Sequence, residues 1–373
     1  MHSGAAADRA RIAELEAQIL DLERALATLR LQKTVVQERL DSYKYPILTM
    51  PNEIISEIFT HFLPTYPRCP PLTGLLSPTL LTHICHKWRD IALASPALWR
   101  SILVSEAIPF LIQRTRVLDI LSRSGSCPLS IQIEGWEDET IHNPDLKGTL
   151  AAVLSHSARW EYLALRPAGI QLPDIQGSFP LLSELDIWLE YFGPPGATNT
   201  AFLELPQLCT VTLNDAAALH FVLPWVQITR LNLLRVYMHE CLPVLRQTSN
   251  LVHCELQLYF DPDRRDDVLD LISLPCLESL TFNDPKPHES ATQTCIHPLD
   301  VFITPALCNL DIPEKFLGRK PIESLTSFIS KSGCALQDLR IIGKISVPRG
   351  SYRAAFPSIP RLCFEDSEDD SSS

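Results

Sequence analysis

His83, Cys85 and His86 are the residues whose types and spacing come closest to a chemical site. Imidazole and thiolate are zinc ligands, but a tetrahedral zinc site needs four of them, and no second ligand pair stands nearby. The chain lacks the phosphate loops GxGxxG and GxxxxGK, the GxSxG nucleophile turn and the HExxH zinc helix. We therefore expect no metal, no cofactor and no catalytic residues, and we predict that the chain is not an enzyme.

Composition bounds the class of protein further. The 373 residues are 46% hydrophobic and carry a net charge of −12, so a large core is expected and a general nucleic-acid binder is not. No apolar run approaches the length of about 18 residues that a membrane span needs, and we expect no secretory signal. The eleven cysteines are scattered, without CxxC pairs. An intracellular location, cytoplasmic or nuclear, fits best.

The N-terminal stretch carries a heptad repeat without Gly or Pro. Its core positions hold Lys33 and the aliphatic residues Ile12, Leu15, Ile19, Leu22, Leu26, Leu29, Val36 and Leu40. This spacing predicts a helix whose stripe is buried either in a coiled coil, including self-association, or against its own chain. At the flanking positions only Arg11 with Glu16 makes an attractive interhelical pair. Lys33 would weaken a dimer while fixing its register.

Residues 46–104 combine short amphipathic helices with tryptophans. Pro46 ends the preceding helix, and residues 48–63 repeat large apolar side chains on one wide face. A proline-rich insert, 64–78, separates this segment from a second helical run, 80–92. The pattern resembles the F-box, which begins Leu-Pro-x-Glu-Ile-Leu, continues through Ile-Phe and Val-Cys-x-x-Trp-Arg, and closes with Pro-x-Leu-Trp. The matches are Pro51, Glu53, Ile54, Ile58, Phe59, Ile84, Cys85, Trp88, Arg89, Pro96, Leu98 and Trp99, with Met50 in place of the first Leu.

The F-box resemblance implies a three-helix module that docks on the small adaptor subunit of SCF-type cullin–RING ubiquitin ligases. A module of this size cannot bury all of its large apolar side chains alone, so part of its surface is left for a partner. By that resemblance, the residues that face the adaptor would include Pro51, Ile54, Ile55, Ile58 and Phe59. Trp88, Leu98 and Trp99 would hold the helices together or contribute at the rim.

A second pattern, apolar-x-x-apolar-x-apolar, recurs nine times between Trp160 and Phe364, with starts 20 to 30 residues apart. It resembles the leucine-rich repeat, in which each strand turns its pattern residues inward and neighbouring repeats stack into one core. The copies lack the Asn or Cys of the asparagine ladder. An earlier strand is predicted at 129–133, and helices at 117–124, 146–157, 241–248 and 322–332. An irregular α/β domain is the alternative.

In such a solenoid the residues between pattern positions form the concave face. Their charge is mixed, which favours a protein or peptide ligand over nucleic acid. An exposed aromatic such as Trp188 would be a natural anchor. The candidate substrate-binding residues are Asp186, Trp188, Asn232, Glu255, Thr281 and Arg340. For each one alone, an ordinary solvated strand position is the competing interpretation.

Together the patterns predict an α+β multidomain chain. It has a coiled-coil helix at 1–44, a three-helix F-box domain at 45–104, an α/β leucine-rich-repeat solenoid at 105–364 and a disordered acidic tail at 365–373. The expected function is a non-catalytic substrate receptor that joins the adaptor and cullin of an SCF-type ligase to an unknown protein substrate. The alternative is a scaffold or adaptor protein that uses the same modules outside ligase assembly.

Overall fold

The computed structural model describes residues 2–42, 46–105, 108–135, 143–166, 175, 177–189, 202, 204–214, 217, 221–259, 271–285 and 297–365. The predicted disordered tail lies outside these residues, apart from Glu365, which ends a strand. The chain divides into two compact units, Met1–Ile58 and Phe59–Ser373. It is a mixed α/β protein with a long N-terminal helix and a large parallel sheet.

The helices in the described residues are α1 (His2–Ser42), α2 (Asn52–Phe62), α3 (Pro78–Leu81), α4 (His86–Leu93), α5 (Phe110–Arg123), α6 (Pro144–Leu154), α7 (Met238–Leu245), α8 (Pro321–Ser332) and α9 (Arg349–Ala355). Short 3-10 segments lie at Pro46–Thr49, Pro96–Trp99, Ser157–Arg159, Trp225–Gln227, Pro298–Val301 and Glu314–Leu317. A helix therefore lies in each of the four stretches in which the repeat region was predicted to be helical, although α5, α6 and α7 end one to three residues earlier than predicted.

The first unit is dominated by α1. It runs for 41 residues without interruption, as the absence of Pro and the heptad repeat predict. Every side chain from Asp8 to Ser42 is exposed, so this unit leaves the apolar stripe uncovered. The unit continues through the 3-10 segment at Pro46–Thr49 into the first turns of α2.

The second unit is built on strands β1 (Ser101–Val104), β2 (Leu129–Glu134), β3 (Trp160–Arg166), β4 (Glu184–Ile187), β5 (Thr210–Asn214), β6 (Arg230–Tyr237), β7 (His253–Tyr259), β8 (Ile272–Ser273), β9 (Ser279–Asn283), β10 (Phe302–Ile303), β11 (Asn309–Pro313), β12 (Asp338–Ile342) and β13 (Arg361–Glu365). Eleven of them form one sheet in chain order, and β8 pairs with β10 beside it. Each pairing in the large sheet is parallel.

The repeated apolar pattern explains the register of this sheet. Each of the nine copies contains a strand. Residues at the same position of the pattern are register partners in neighbouring strands, so Leu185 pairs with Val211 and Val211 pairs with Leu231. The pattern residues from β3 to β12 are buried, which turns separate small clusters into one continuous core. On β13 the burial is only partial, because that strand has no following neighbour.

Backbone hydrogen bonds join neighbouring strands where the strands begin. The carbonyl of Cys209 accepts from the N–H groups of both Thr229 and Arg230, each at 3.0 Å. The same pair of hydrogen bonds recurs one repeat later, where the carbonyl of Thr229 accepts from the N–H groups of Val252 and His253, each at 2.9 Å. Buried backbone groups need partners, so these carbonyls satisfy the N–H groups of the next strand and hold neighbouring strands together.

A row of aromatic rings lies in the core beside the first strands. Trp160 packs on Phe179 at 5.3 Å, Phe179 on Phe202 at 5.6 Å, and Phe202 on Phe221 at 6.0 Å between ring centroids. These are the tilted, offset separations that aromatic pairs prefer. The rings stabilise the stacking of four consecutive repeats, whose strands β4 and β6 carry the candidate residues Asp186 and Asn232.

Candidate partner-binding surfaces

Helix α2 presents two isoleucines on one exposed face. Ile54 and Ile58 are 50% and 39% exposed, and their four-residue spacing places them side by side. Pro51 and Met50, just before the helix, are exposed as well, whereas Ile55 is fully buried. Of the predicted adaptor-facing residues in the first unit, Pro51, Ile54 and Ile58 are therefore available to a partner, and Ile55 is not.

The remaining predicted adaptor residues belong to the second unit and are buried or half-buried there. Phe59 is buried and meets the half-buried Trp88 edge to face at 4.9 Å. Leu98 and Trp99 are fully buried, and the Trp99 indole N–H donates to the Ala92 carbonyl at 2.8 Å. These side chains hold the helices together, which is the first of the two roles considered for Trp88, Leu98 and Trp99. Phe59 takes that role too.

The run 80–92, predicted as a single helical segment, is broken in the structure. Helix α3 ends at Leu81 and α4 begins at His86, because Cys85 is extended and its sulfur accepts the Trp88 backbone N–H at 3.5 Å. The side chain of Arg89 donates to the Thr82 carbonyl at 2.8 Å and so satisfies a backbone group at the break. Cys85 thus acts as a helix cap.

The proline-rich insert packs against the start of the sheet. The hydroxyl of Tyr66 donates to Glu161 at 2.6 Å, and the sulfur of Cys69 lies 3.5 Å from the Ser130 hydroxyl. Burial raises the pKa of Cys69 to about 12. Ser130 pairs with Tyr162, which pairs with Glu184, so the insert covers the polar face of the sheet at β2.

Five of the six candidate substrate residues lie in one row across the sheet. Register pairs connect Asp186, Thr212, Asn232, Glu255, Thr281, Asp311 and Arg340 in this order, on strands β4, β5, β6, β7, β9, β11 and β12. Neighbouring strands are about 4.8 Å apart, so the row extends for roughly 30 Å. The structure therefore brings together residues that are separated by more than 150 positions in the sequence.

Cross-strand partners hold much of this row in place. Arg166 donates to Asp186 at 2.7 Å, and Asn283 donates to Glu255 at 2.6 Å. Arg340 lies 3.3 Å from Glu365. Ion pairs at a surface contribute only about 0–1 kcal/mol each, so a ligand could exchange them at little cost.

Burial shifts the pKa of Asp311, which belongs to this row, and of Tyr162, which lies beside it. It raises the pKa of Asp311, with the Arg340 guanidinium acting in the opposite direction. It also raises the pKa of Tyr162 to about 12, helped by the negative charge of Asp186. Tyr162 is half-buried next to Asp186, and its hydroxyl can donate a hydrogen bond.

Trp188, the sixth candidate, belongs to an aromatic cluster at the carboxyl ends of β4, β6 and β7. The Arg235 guanidinium lies 5.5 Å from the Trp188 ring and 6.0 Å from the Tyr259 ring, and its Nε donates to the Tyr259 hydroxyl at 3.1 Å. Tyr237 and Tyr259 lie 5.9 Å apart. A planar cation among aromatic rings is typical of the residues that dominate binding energy at interfaces.

A strained bulge places Arg235 in this cluster. Its φ is +58°, and the register between β6 and β7 shifts between Leu233 and Val236. Non-glycine residues in the left-handed region and β-bulges are both concentrated near functional sites. Arg235 was not among the residues predicted from the sequence, although the spacing of the buried positions indicates the bulge, because they fall at 231, 233 and then 236 instead of 235.

Asn214 fixes the chain that leads out of Trp188. Its side-chain oxygen accepts the Leu189 N–H at 3.0 Å, and its amide nitrogen donates to the Leu189 carbonyl at 2.6 Å. Asn214 and Leu189 are both buried. One side chain therefore satisfies both backbone groups of the residue that follows Trp188, a positioning role that the pattern alone did not reveal.

A shallow depression lies at the opposite ends of the same strands. It has a volume of about 510 Å³ and is lined by Glu184, Cys209, Thr210, Thr229, Arg230, Val252 and His253. Its walls carry a negative charge from Glu184 and a positive charge from Arg230. It can accommodate a polar side chain of a ligand that lies along the row.

Glu314 is a buried carboxylate with a structural role. It accepts the Tyr352 hydroxyl at 2.7 Å and the Val347 N–H at 3.2 Å, as well as the Ser346 N–H. Burial and this hydrogen bond raise the pKa of Tyr352. The group ties the segment before α9, and Tyr352 within α9, to the end of β11.

In the described part of the chain, no three His, Cys, Asp or Glu side chains lie close enough together to hold a metal ion. Among the same residues, no helix is both long and apolar enough to cross a membrane. The sequence matches no protein-family profile, and no curated protein shows significant similarity to it. The F-box and leucine-rich-repeat resemblances therefore rest on the residues quoted above.

Proposed function

We propose that this protein is the substrate-recognition subunit of an SCF-type ubiquitin ligase. The observation that carries the proposal is the exposed pair Ile54 and Ile58 on α2. Apolar residues at these F-box positions are expected to face the ligase adaptor. Large aliphatic side chains exposed side by side are typical of an interface.

The second half of the proposal concerns the sheet. Eleven parallel strands in chain order, with inward pattern residues at 20- to 30-residue spacing, support a leucine-rich-repeat solenoid. Its polar row would bind a protein substrate. An extended peptide of about nine residues spans roughly 30 Å, which matches the row from Asp186 to Arg340. Trp188, with Arg235 and Tyr259 beside it, would anchor one end.

The mechanism is proximity. One surface holds the adaptor, and through it the cullin, while the other surface holds the substrate. Ubiquitin transfer then gains effective concentration without any chemistry on this chain. A protein of this kind acts inside the cell, where the adaptor and cullin are found.

The experiment that tests this proposal measures binding of the full-length protein to the purified adaptor subunit. The wild type is compared with Ile58→Asp and with Leu118→Asp, a matched control that places the same charge at an exposed leucine of α5. We expect micromolar or tighter binding that Ile58→Asp abolishes and Leu118→Asp preserves. No binding by folded wild type would reject ligase assembly and favour the scaffold function.

A further inference from the structure

The heptad stripe of α1 is an uncovered apolar surface. Its eight aliphatic residues are between 41% and 70% exposed. Helices obtain most of their stability from packing such a stripe against a partner, and exposed apolar surface of this extent marks an interaction site. The charges that flank the stripe show which partner it fits.

A parallel pair of identical α1 helices would be poorly matched. In that arrangement each core residue faces its own copy, so Lys33 would lie against Lys33 of the second copy inside the apolar seam. The attractive flanking pair would be Arg11 with Glu16, near the helix end. Arg11 already donates to Glu14 of its own helix at 2.7 Å.

An antiparallel pair removes the conflict at Lys33. When Leu26 faces Leu29 of the second copy, Lys33 faces Leu22, and its long aliphatic stem can cover that leucine while the ammonium reaches water. In this register Glu23 lies beside Arg30 of the second copy, and the symmetry repeats this attractive pair. No flanking position then meets a like charge.

Neighbouring antiparallel registers are less favourable. Sliding one helix by a heptad in one direction places Glu23 against its own copy, and sliding it in the other direction places Arg30 against its own copy. Like charges at such positions are destabilising. The charge pattern therefore selects a single register.

We propose that α1 forms an antiparallel coiled coil with a second copy of this chain, with Glu23 paired to Arg30 across the seam. The overlap covers residues 13–42, a rod of about 45 Å at 1.5 Å per residue. The two chains leave this rod at opposite ends. The proposal is independent of the ligase function.

Charge reversal in the full-length protein tests both the partner and the orientation. Association is measured by analytical ultracentrifugation for wild type, Glu23→Arg, Arg30→Glu and the double variant. Each single reversal converts two attractive pairs into two repulsive ones, so the dimer dissociation constant should rise roughly tenfold. The double variant should restore it. An equimolar mixture of the two single variants should associate as tightly as wild type, because all pairs are then complementary.

Arg11→Glu is the matched control, since Arg11 lies outside the antiparallel overlap and should leave association unchanged. If Arg11→Glu weakens the dimer and Glu23→Arg does not, the pairing is parallel and the proposed register is wrong. A wild-type chain that stays monomeric at all concentrations would overturn the second copy as partner. Far-ultraviolet circular dichroism confirms that each variant keeps its helix.

Discussion

Replacing Asn214 by alanine should lower the free energy of unfolding of the second unit by several kcal/mol, although Asn214 is a polar residue at the end of a strand. Asn214 makes two hydrogen bonds to the backbone of Leu189, at 3.0 and 2.6 Å, and both residues are buried. The alanine variant leaves a buried N–H and a buried C=O without their partner. It also releases the chain that holds Trp188 in the aromatic cluster.

The size of the effect follows from those two backbone groups. A buried polar group that loses its partner costs about 1–3 kcal/mol, so two of them together cost roughly 2–6 kcal/mol of unfolding free energy. Asn232→Ala is the matched control. The side chain of Asn232 is only half-buried and donates one bond, to the Thr212 hydroxyl at 3.3 Å. The control should therefore lose less than about 1 kcal/mol.

Urea unfolding of both variants measures the difference, and hydrogen exchange at the Leu189 amide localises it. We expect a clear drop in the urea midpoint for Asn214→Ala and faster exchange at Leu189. Equal midpoints for the two variants, with Leu189 still protected, would show that Asn214 does not hold this segment.

Three further predictions concern the second unit. Asp311→Asn should raise the free energy of unfolding at pH 7, because the raised pKa of Asp311 means that folding disfavours its charged form. Urea unfolding as a function of pH measures the effect. The gain should vanish at low pH, where the wild-type carboxyl is protonated in both the folded and the unfolded state. Iodoacetamide at pH 8 should label the exposed Cys276 and Cys363 in the native protein but spare Cys69, as peptide mass spectrometry would reveal. Trp99→Ala should cost about 3–5 kcal/mol in urea unfolding, since it removes a fully buried ring and its hydrogen bond.

The periodic parts of the fold could be predicted from the sequence. An uninterrupted heptad repeat indicates a helix, and α1 confirms it. A fixed pattern of apolar residues indicates parallel strands in register, and each of the nine copies of the pattern contains a strand of the large sheet. Both patterns work because a side chain's direction follows from the backbone period alone.

Features that depend on a single residue could not be predicted in this way. The break before α4 depends on the extended backbone of Cys85, and the bulge depends on the positive φ of Arg235. The burial of Ile55 and Phe59 depends on how α2 is packed, which the amphipathic pattern does not specify because its apolar face is wide. The pattern indicated which residues are apolar but did not separate those that face the core from Ile54 and Ile58.

The polar row from Asp186 to Arg340 could likewise be predicted only in part. Alternation along the strands predicted which residues face outward, and the register brings five of the six candidates into one line. The aromatic cluster at Trp188 was only partly anticipated, because Arg235 and Tyr259 reach it from other strands. The contacts that Arg235 makes with Trp188 and Tyr259 depend on the bulge in β6, and the pattern of a single strand does not predict them.

Assembly of the full-length protein with a purified adaptor–cullin complex tests the central claim most directly. Mass photometry would record the complex with and without the wild-type chain, and again with Ile58→Asp. The receptor function predicts a new, heavier species that contains this chain together with the adaptor and cullin, and the aspartate variant should fail to form it. An adaptor–cullin peak that stays unchanged beside folded wild-type protein would contradict it.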